Sequence, residues 1–428
     1  MRIRESLYGN WWLPSAPDRT VPGTLTLGET SEPYLELYGT LVVFRAEEGP
    51  LTIHGDSSGR KVSLFGIYPT QETSTLRDGM RYPVQLFDIN FGALVGDSHV
   101  ADEDEPKFSE STVDIDYLTF ISQDIDHSET AIKNKPDGSS DFNFLVTTEG
   151  RRSGRYGNVD ATTVPEASYS PDAEFYTAEM RIRASFRTYV RLTSAQPIST
   201  REHVETARRL SDLVTLAMHR PAGVRQIAFN DTTTDKRRRY EWWGAEPTSA
   251  NELVDRPTRR AIAFDLGGVD LGTVLPAWHT LNTSAVYGVQ SIIGLLRETS
   301  TYHETKLLGV CGAIEALHRG LDPGNRTYRQ RCEALAAIPS SAAVARIIPD
   351  IAKWADYVVK ARNSLAHGDE PKDRSVPEDV WFALHGPTLA LLVLVLMAEL
   401  GISESAQIRA VTHGAFRAAA NIGTALLN

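Results

Sequence analysis

The chain has 428 residues, too many for one ordinary domain, so two or three are expected. With 41% hydrophobic and 23% charged residues it is a folding sequence rather than a disordered one. A formal charge of −11 excludes a protein that coats nucleic acid nonspecifically.

The charge is unevenly placed. Residues 1–273 carry 30 basic and 41 acidic side chains, and residues 274–428 carry 14 of each. The C-terminal part is therefore the one least opposed to an anionic partner. Two cysteines, Cys311 and Cys332, supply neither a disulfide framework nor a zinc cluster. The opening MRIRESLYGNWWLP has no apolar core of leader length, and the cytoplasm is the expected compartment. The longest apolar run, LALLVLVLMAEL at 389–400, is short of the roughly 20 residues a membrane span needs. It reads as a core or dimer-interface helix.

The first 190 residues or so alternate apolar and polar positions between Gly, Asp, Ser and Pro clusters. GTLTLGETSEPYLELYGTLVVF reads as a hairpin. Further strands are expected in GRKVSLFGIY, RYPVQLFDINFGALVG, STVDIDYLTFI, FNFLVTTEG and EMRIRASFRTYVRLTS. Residues 149–174 read as a long loop or irregular insert. Strands without intervening helices favour an antiparallel sandwich or barrel. Within this part, about 199–220 is helical: STREHVETARRLSDLVTLAMHR has Ser/Thr caps, Glu202 in the first turn and apolar residues at helical spacing. KRRRYEWW at 236–243 sets cations beside aromatics. It reads as a single-strand contact or, more in keeping with buried tryptophans, as a solvated turn.

From residue 274 the pattern is helical throughout. Five or six helices are expected, one opening at Pro276 and one ending at Gly320 with His318 and Arg319 in its last turn. The expected architecture is α+β and multidomain: an N-terminal antiparallel β-rich domain over 1–250, a linker over 251–273, and an all-α bundle over 274–428.

In IPDIAKWADYVVKARNSLAHG, residues Ile351, Trp354, Val358, Ala361 and Leu365 form one buried stripe. Arg362, Asn363 and His367 lie off it, ahead of Gly368. A histidine can take the proton of a ribose 2′-OH or return one to a leaving 5′-oxygen. A guanidinium can grip the phosphate between them, and an asparagine can orient either. On a regular helix Arg362 and His367 stand about 140° apart. Convergence on one atom therefore needs a distorted helix end or a second copy of the chain. The spacing alone also fits a helix-end cation and a histidine at the C-terminal dipole, and Arg297 with His303 offers a similar pairing elsewhere. His367 with Asp369 and Glu370 makes a poor metal cluster. Nucleotide, dinucleotide, zinc-protease and serine-hydrolase motifs are missing, so no cofactor or metal is expected.

RNSLAH inside a C-terminal helical bundle resembles the RxxxxH motif of the HEPN ribonucleases. YGNWWLP followed by GTLTL and LELYG is similar to the opening of the ApeA-type anti-phage defence proteins, and VCGAIEALHRG resembles their earlier HEPN helix. The resemblance implies a catalytic Arg362 and His367 with Asn363 as polar companion. Glu315 is either a supporting acid or an exposed helix charge. It further implies metal-independent endoribonuclease action on tRNA or other structured RNA, and a homodimer joined through the bundle. Abortive infection would follow from a phage-encoded trigger read by the N-terminal domain. The competing reading is a non-catalytic dimerisation scaffold whose β domain binds a protein or glycan.

Overall fold

The computed structural model describes the chain outside residues 1–4, 29–32, 44–49, 78–79, 123–124, 135–139, 149–150, 174–179, 232–237, 245–257, 259–261, 299–301, 368–382 and 428. Six strands come first: β1 (Glu5–Trp12), β2 (Val21–Leu27), β3 (Tyr34–Leu37), β4 (Leu51–Ser57), β5 (Arg60–Arg77) and β6 (Met80–Gly96). They pair antiparallel in the ring β1-β2-β3-β6-β5-β4, and β4 returns to β1. Closure into a barrel removes the edges an open sheet would expose. Every second residue points inward, and Leu7, Trp11, Leu25, Leu35, Ile53 and Phe87 fill the interior.

β6 outlasts its neighbour β3. Its residues 85–88 pair with β3, while residues 92–95 pair with β14 (Arg238–Gly244). From there a second stretch of sheet runs through β13 (Val224–Asp231), β7 (Phe108–Ile115), β12 (Met180–Ile198), β11 (Val159–Ala173) and β10 (Ser153–Tyr156), all antiparallel. A separate hairpin pairs β8 (Ile125–Asn134) with β9 (Ser140–Thr148).

Three expectations are corrected here. Residues 153–173 are a hairpin rather than a loop: β10 and β11 meet at Tyr156↔Val159 around Gly157 and Asn158, with Gly157 at φ 59°. A Gly-Asn pair is a two-residue turn signal, and it sits between the alternating runs SGRY and VDATTV. Residues 238–244 form strand β14 rather than a turn. The strand expected through STVDIDYLTFI stops at Ile115, and Leu118–Ser122 makes a short helix, α1.

Helix α2 (Thr200–Met218) lies on the second sheet. Its start is fixed by a capping box in which Ser199 and Glu202 satisfy each other's backbone N–H groups. His203, on its buried face, is fully covered, with Nδ1 against Ser111 Oγ at 2.9 Å and Nε2 against the Phe108 carbonyl at 3.0 Å.

The described part of residues 271–427 holds nine helices, more than the five or six expected: α3 (Leu271–Ser284), α4 (Val286–Arg297), α5 (His303–Leu321), α6 (Tyr328–Ala336), α7 (Ser341–Ile347), α8 (Ile351–His367), α9 (His385–Glu399), α10 (Glu404–Thr412) and α11 (Arg417–Leu427). α3 opens at Leu271, not Pro276, because the Asp270 carboxylate accepts from Gly272 N and Thr273 Oγ1 at 3.0 and 2.8 Å. Pro276 then sits inside the helix. The expected last helix is split at His413–Phe416, where the Ala415 amide bonds Ile262 instead of continuing the helical ladder.

α9 is buried all round over residues 390–397 and packs at the centre of the bundle. The bundle core is continuous with the second sheet: Phe108, Leu192, Leu213, Trp278, Trp354 and Leu391 belong to one cluster. The seam between α2 and the helices also carries polar bonds. Arg297 pairs with Asp212 at 2.8 Å, and the Trp278 indole donates to the Arg209 carbonyl at 2.7 Å. Burial outweighs these guanidinium neighbours at Asp212 and holds its carboxyl above the usual range.

Candidate active site

α5 is held close to α4: Gly320 lies against Ala285, and Gly288 lies against Leu317. A side chain at either glycine would collide with the facing helix, so both stay bare. This crossing turns the Cys311, Glu315 and His318 side of α5 toward α6 and α8. Thr327 and Gln330 cap α6 reciprocally, which brings Tyr328 and Arg331 onto the same patch.

Arg362, from α8, is supported on three sides. Its guanidinium lies 5.0 Å from the Tyr328 ring centroid, Nη2 is 3.6 Å from Glu315 Oε2, and Nη1 donates to Asn363 Oδ1 at 3.2 Å. Tyr328 is fixed in turn by donating to the Cys311 carbonyl at 3.0 Å. Burial pushes the Tyr328 hydroxyl well up, so it stays a donor. The Arg362 side chain remains 38% exposed, positioned yet open to a ligand. Partial exposure keeps the energy of the Glu315 pair small; the stacked ring does the orienting.

The Glu315 carboxylate is surrounded. Oε1 is 2.7 Å from Arg319 Nη2 and 3.9 Å from Arg331 Nη1, and Oε2 faces Arg362. Three guanidiniums around one carboxylate leave a net positive patch suited to a phosphate. Asn363 is exposed beside it. His367 is the last residue of α8, and its side chain lies outside the described residues, as do Gly368, Asp369 and Glu370. α8 runs without interruption from Ile351 to His367, so the separation of about 140° expected of a regular helix holds between positions 362 and 367.

Tyr328 and Arg331 were not singled out from the sequence, and Arg319 was read there only as a cation in the last turn of a helix. The signal for Arg331 was present: it falls on the buried side of α6 with Cys332 and Leu335, where a cation needs a reason. The two thiols offer no nucleophile. Burial raises Cys311 to about 11 and Cys332 to about 12, so both stay protonated at neutral pH. Among the described residues no three His, Cys, Asp or Glu side chains gather as a metal site, and no helix is long and apolar enough to cross a membrane.

The molecule thus joins an antiparallel β front to a helical bundle in which arginines from α5, α6 and α8 gather on one patch. The family model for ApeA N-terminal domain 1 matches residues 6–278, and the model for Apea-like HEPN matches residues 308–406. The chain belongs to the ApeA family, whose HEPN domain is of the RNase type used in anti-phage defence. Comparison with the curated proteins and with the solved structures finds no match.

Proposed function

We propose that the protein is an endoribonuclease of anti-phage defence in which Arg362 and His367 do the chemistry and Asn363 orients them. Arg362 holds the scissile phosphate and offsets charge developing on its oxygens. The neighbouring ribose 2′-OH attacks phosphorus, the O2′–P bond forms, and the P–O5′ bond breaks. Histidine removes the 2′-OH proton and a histidine proton goes to the departing 5′-oxygen. The products are a 2′,3′-cyclic phosphate and a 5′-hydroxyl, and DNA is not cut. Because positions 362 and 367 face different ways on one helix, the reading assigns the paired site to a homodimer through the bundle. HEPN domains in general dimerise, in keeping with this. Residues 274–428 would be the nuclease. Residues 1–250 would hold it quiet until a phage component binds, giving abortive infection through cleavage of tRNA or other structured RNA.

The observation that carries the reading is the Arg362 guanidinium, braced by Tyr328 and still exposed within a patch of three arginines. The test compares wild type with His367→Ala on total RNA and a tRNA pool in EDTA, and in phage-challenged cells. Cyclic-phosphate ends that vanish in the variant support it. Equal protection of cells by both proteins would sink it and favour the second reading, a scaffold whose β domain binds a partner. That second reading draws on the exposed Tyr8 and Tyr38 on the barrel's outer wall.

A further inference from the structure

Among the described residues, two histidines are covered to 2% exposure or less, with opposite fates. His203 uses both ring nitrogens, bonding Ser111 Oγ and the Phe108 carbonyl. His318 is only 2% exposed, yet neither of its ring nitrogens has a hydrogen-bond partner among the described residues. Buried polar atoms are nearly always paired, so the first histidine is explained by the fold and the second is not.

Arg331, close by on α6, has the same deficit. Its side chain is 9% exposed, Nε donates to the Arg326 carbonyl at 3.1 Å, and Nη1 bonds nothing among the described residues. Glu315 Oε1 stands 3.9 Å from that nitrogen, beyond hydrogen-bond reach. A buried guanidinium left in this way is costly. His318 is three residues beyond Glu315 on α5, about 60° around the helix. It feels the charges of Asp322, Arg331 and Arg326. Burial lowers its pKa, so at neutral pH its ring offers one donor and one acceptor. Glu315, one turn away, is 30% exposed.

We propose that Arg331, Arg319 and His318 form an anion subsite beside Arg362, that its ligand is a phosphate of the RNA strand, and that the Glu315 carboxylate occupies the subsite in this structure. The inference rests on the ribonuclease reading for its ligand. A carboxylate has two oxygens and reaches Arg319 well, Arg362 loosely and Arg331 poorly. A phosphodiester has further oxygens on a larger centre and reaches donors that a carboxylate leaves short. Glu315 is then an internal competitor: RNA binding displaces it, and its negative charge lowers affinity until that happens.

Binding is measured in the His367→Ala full-length protein, so that cleavage plays no part, with inorganic phosphate and with a mixed-sequence DNA single strand as probes. Glu315→Gln tightens both by about threefold, since it removes one negative charge that opposes the anion, and partial exposure screens that charge. Adding Arg331→Gln abolishes the gain. In the protein with Glu315 intact, phosphate raises the pKa of His318, read from its ring 15N signals and assigned with His318→Gln. This titration decides the matter if Arg331→Gln does not fold. Unchanged or weaker phosphate binding in Glu315→Gln, or a His318 signal that phosphate does not move, overturns the subsite. Either result can occur while wild type still cleaves RNA, and phosphate can bind as described in a protein that never cleaves, so the two readings fail separately.

Discussion

The barrel and the second stretch of sheet are made of the same kind of strand and are joined through β6, yet they are built for different company. The barrel closes on itself around Trp11 and Phe87. The other strands leave one face open, and α2 followed by the bundle covers it, so that Phe108, Leu213 and Trp278 share one core. Secondary-structure class therefore does not mark the mechanical division. The second sheet, α2 and the helices share one core, and the barrel interior is another.

The strongest way to break this comparison is a pair of tryptophan deletions. Trp278→Ala and Trp11→Ala each remove a fully buried indole, at about 4 kcal/mol apiece. Calorimetry of the two variants should show different transitions falling: the one that carries helical circular dichroism for Trp278, and one silent in helix for Trp11. A single transition lowered equally by both would mean the molecule is one body.

A smaller effect, about 3 kcal/mol, is expected from acid. The His203 pKa falls from 6.5 to about 4 because burial opposes its charged form. The unfolded chain takes up this proton near pH 6.5 and the folded one waits until about 4. The stability present above pH 6.5 is thus lost as pH falls toward 4. The barrel has its own pair, His54 and His99, stacked 4.5 Å apart and each pushed down by burial, so acid acts on both cores. His203→Gln should make the pH profile of the helical transition shallower, followed as melting temperature from pH 7 to about 4, while His219 at the end of α2, also lowered to about 4 by burial, keeps its own share. If that profile is as steep as in wild type, His203 is not the group responsible.

The smallest effect tests the bridge between the two halves of the shared core. Ser199→Ala removes one arm of the α2 capping box and should cost about 1 kcal/mol, read from denaturant midpoints. A loss confined to fraying of α2, seen by hydrogen exchange with the midpoint unchanged, would mean α2 is held by packing alone.

What could be read from the sequence was what is written locally. Ser199 and Glu202 announce α2 three residues apart, and the apolar stripe from Ile351 to Leu365 gives α8 its length and its outward face. The β2–β3 hairpin also follows from alternation alone. What could not be read depends on residues distant in the chain. Nothing near Arg331 tells that its neighbour is Glu315, because the contact exists only once the loop between α5 and α6 folds back. The start of α3 was misread because Pro276 is a strong local signal for a first turn, whereas Asp270, the real cap, sits in a run of Gly and Asp that resembles a loop. Closure of the barrel by β4 returning to β1 was likewise invisible, since pairing order is a global property.

Adjacent tryptophans on β14 belong to opposite interiors: Trp242 faces the helical side and Trp243 faces the barrel. Leu94 and Val95 of β6 divide in the same way. Inserting or deleting one residue in this wall would exchange the occupants of both interiors at once. Strand length at 92–95 and 240–243 is therefore a quantity that drift cannot alter one residue at a time.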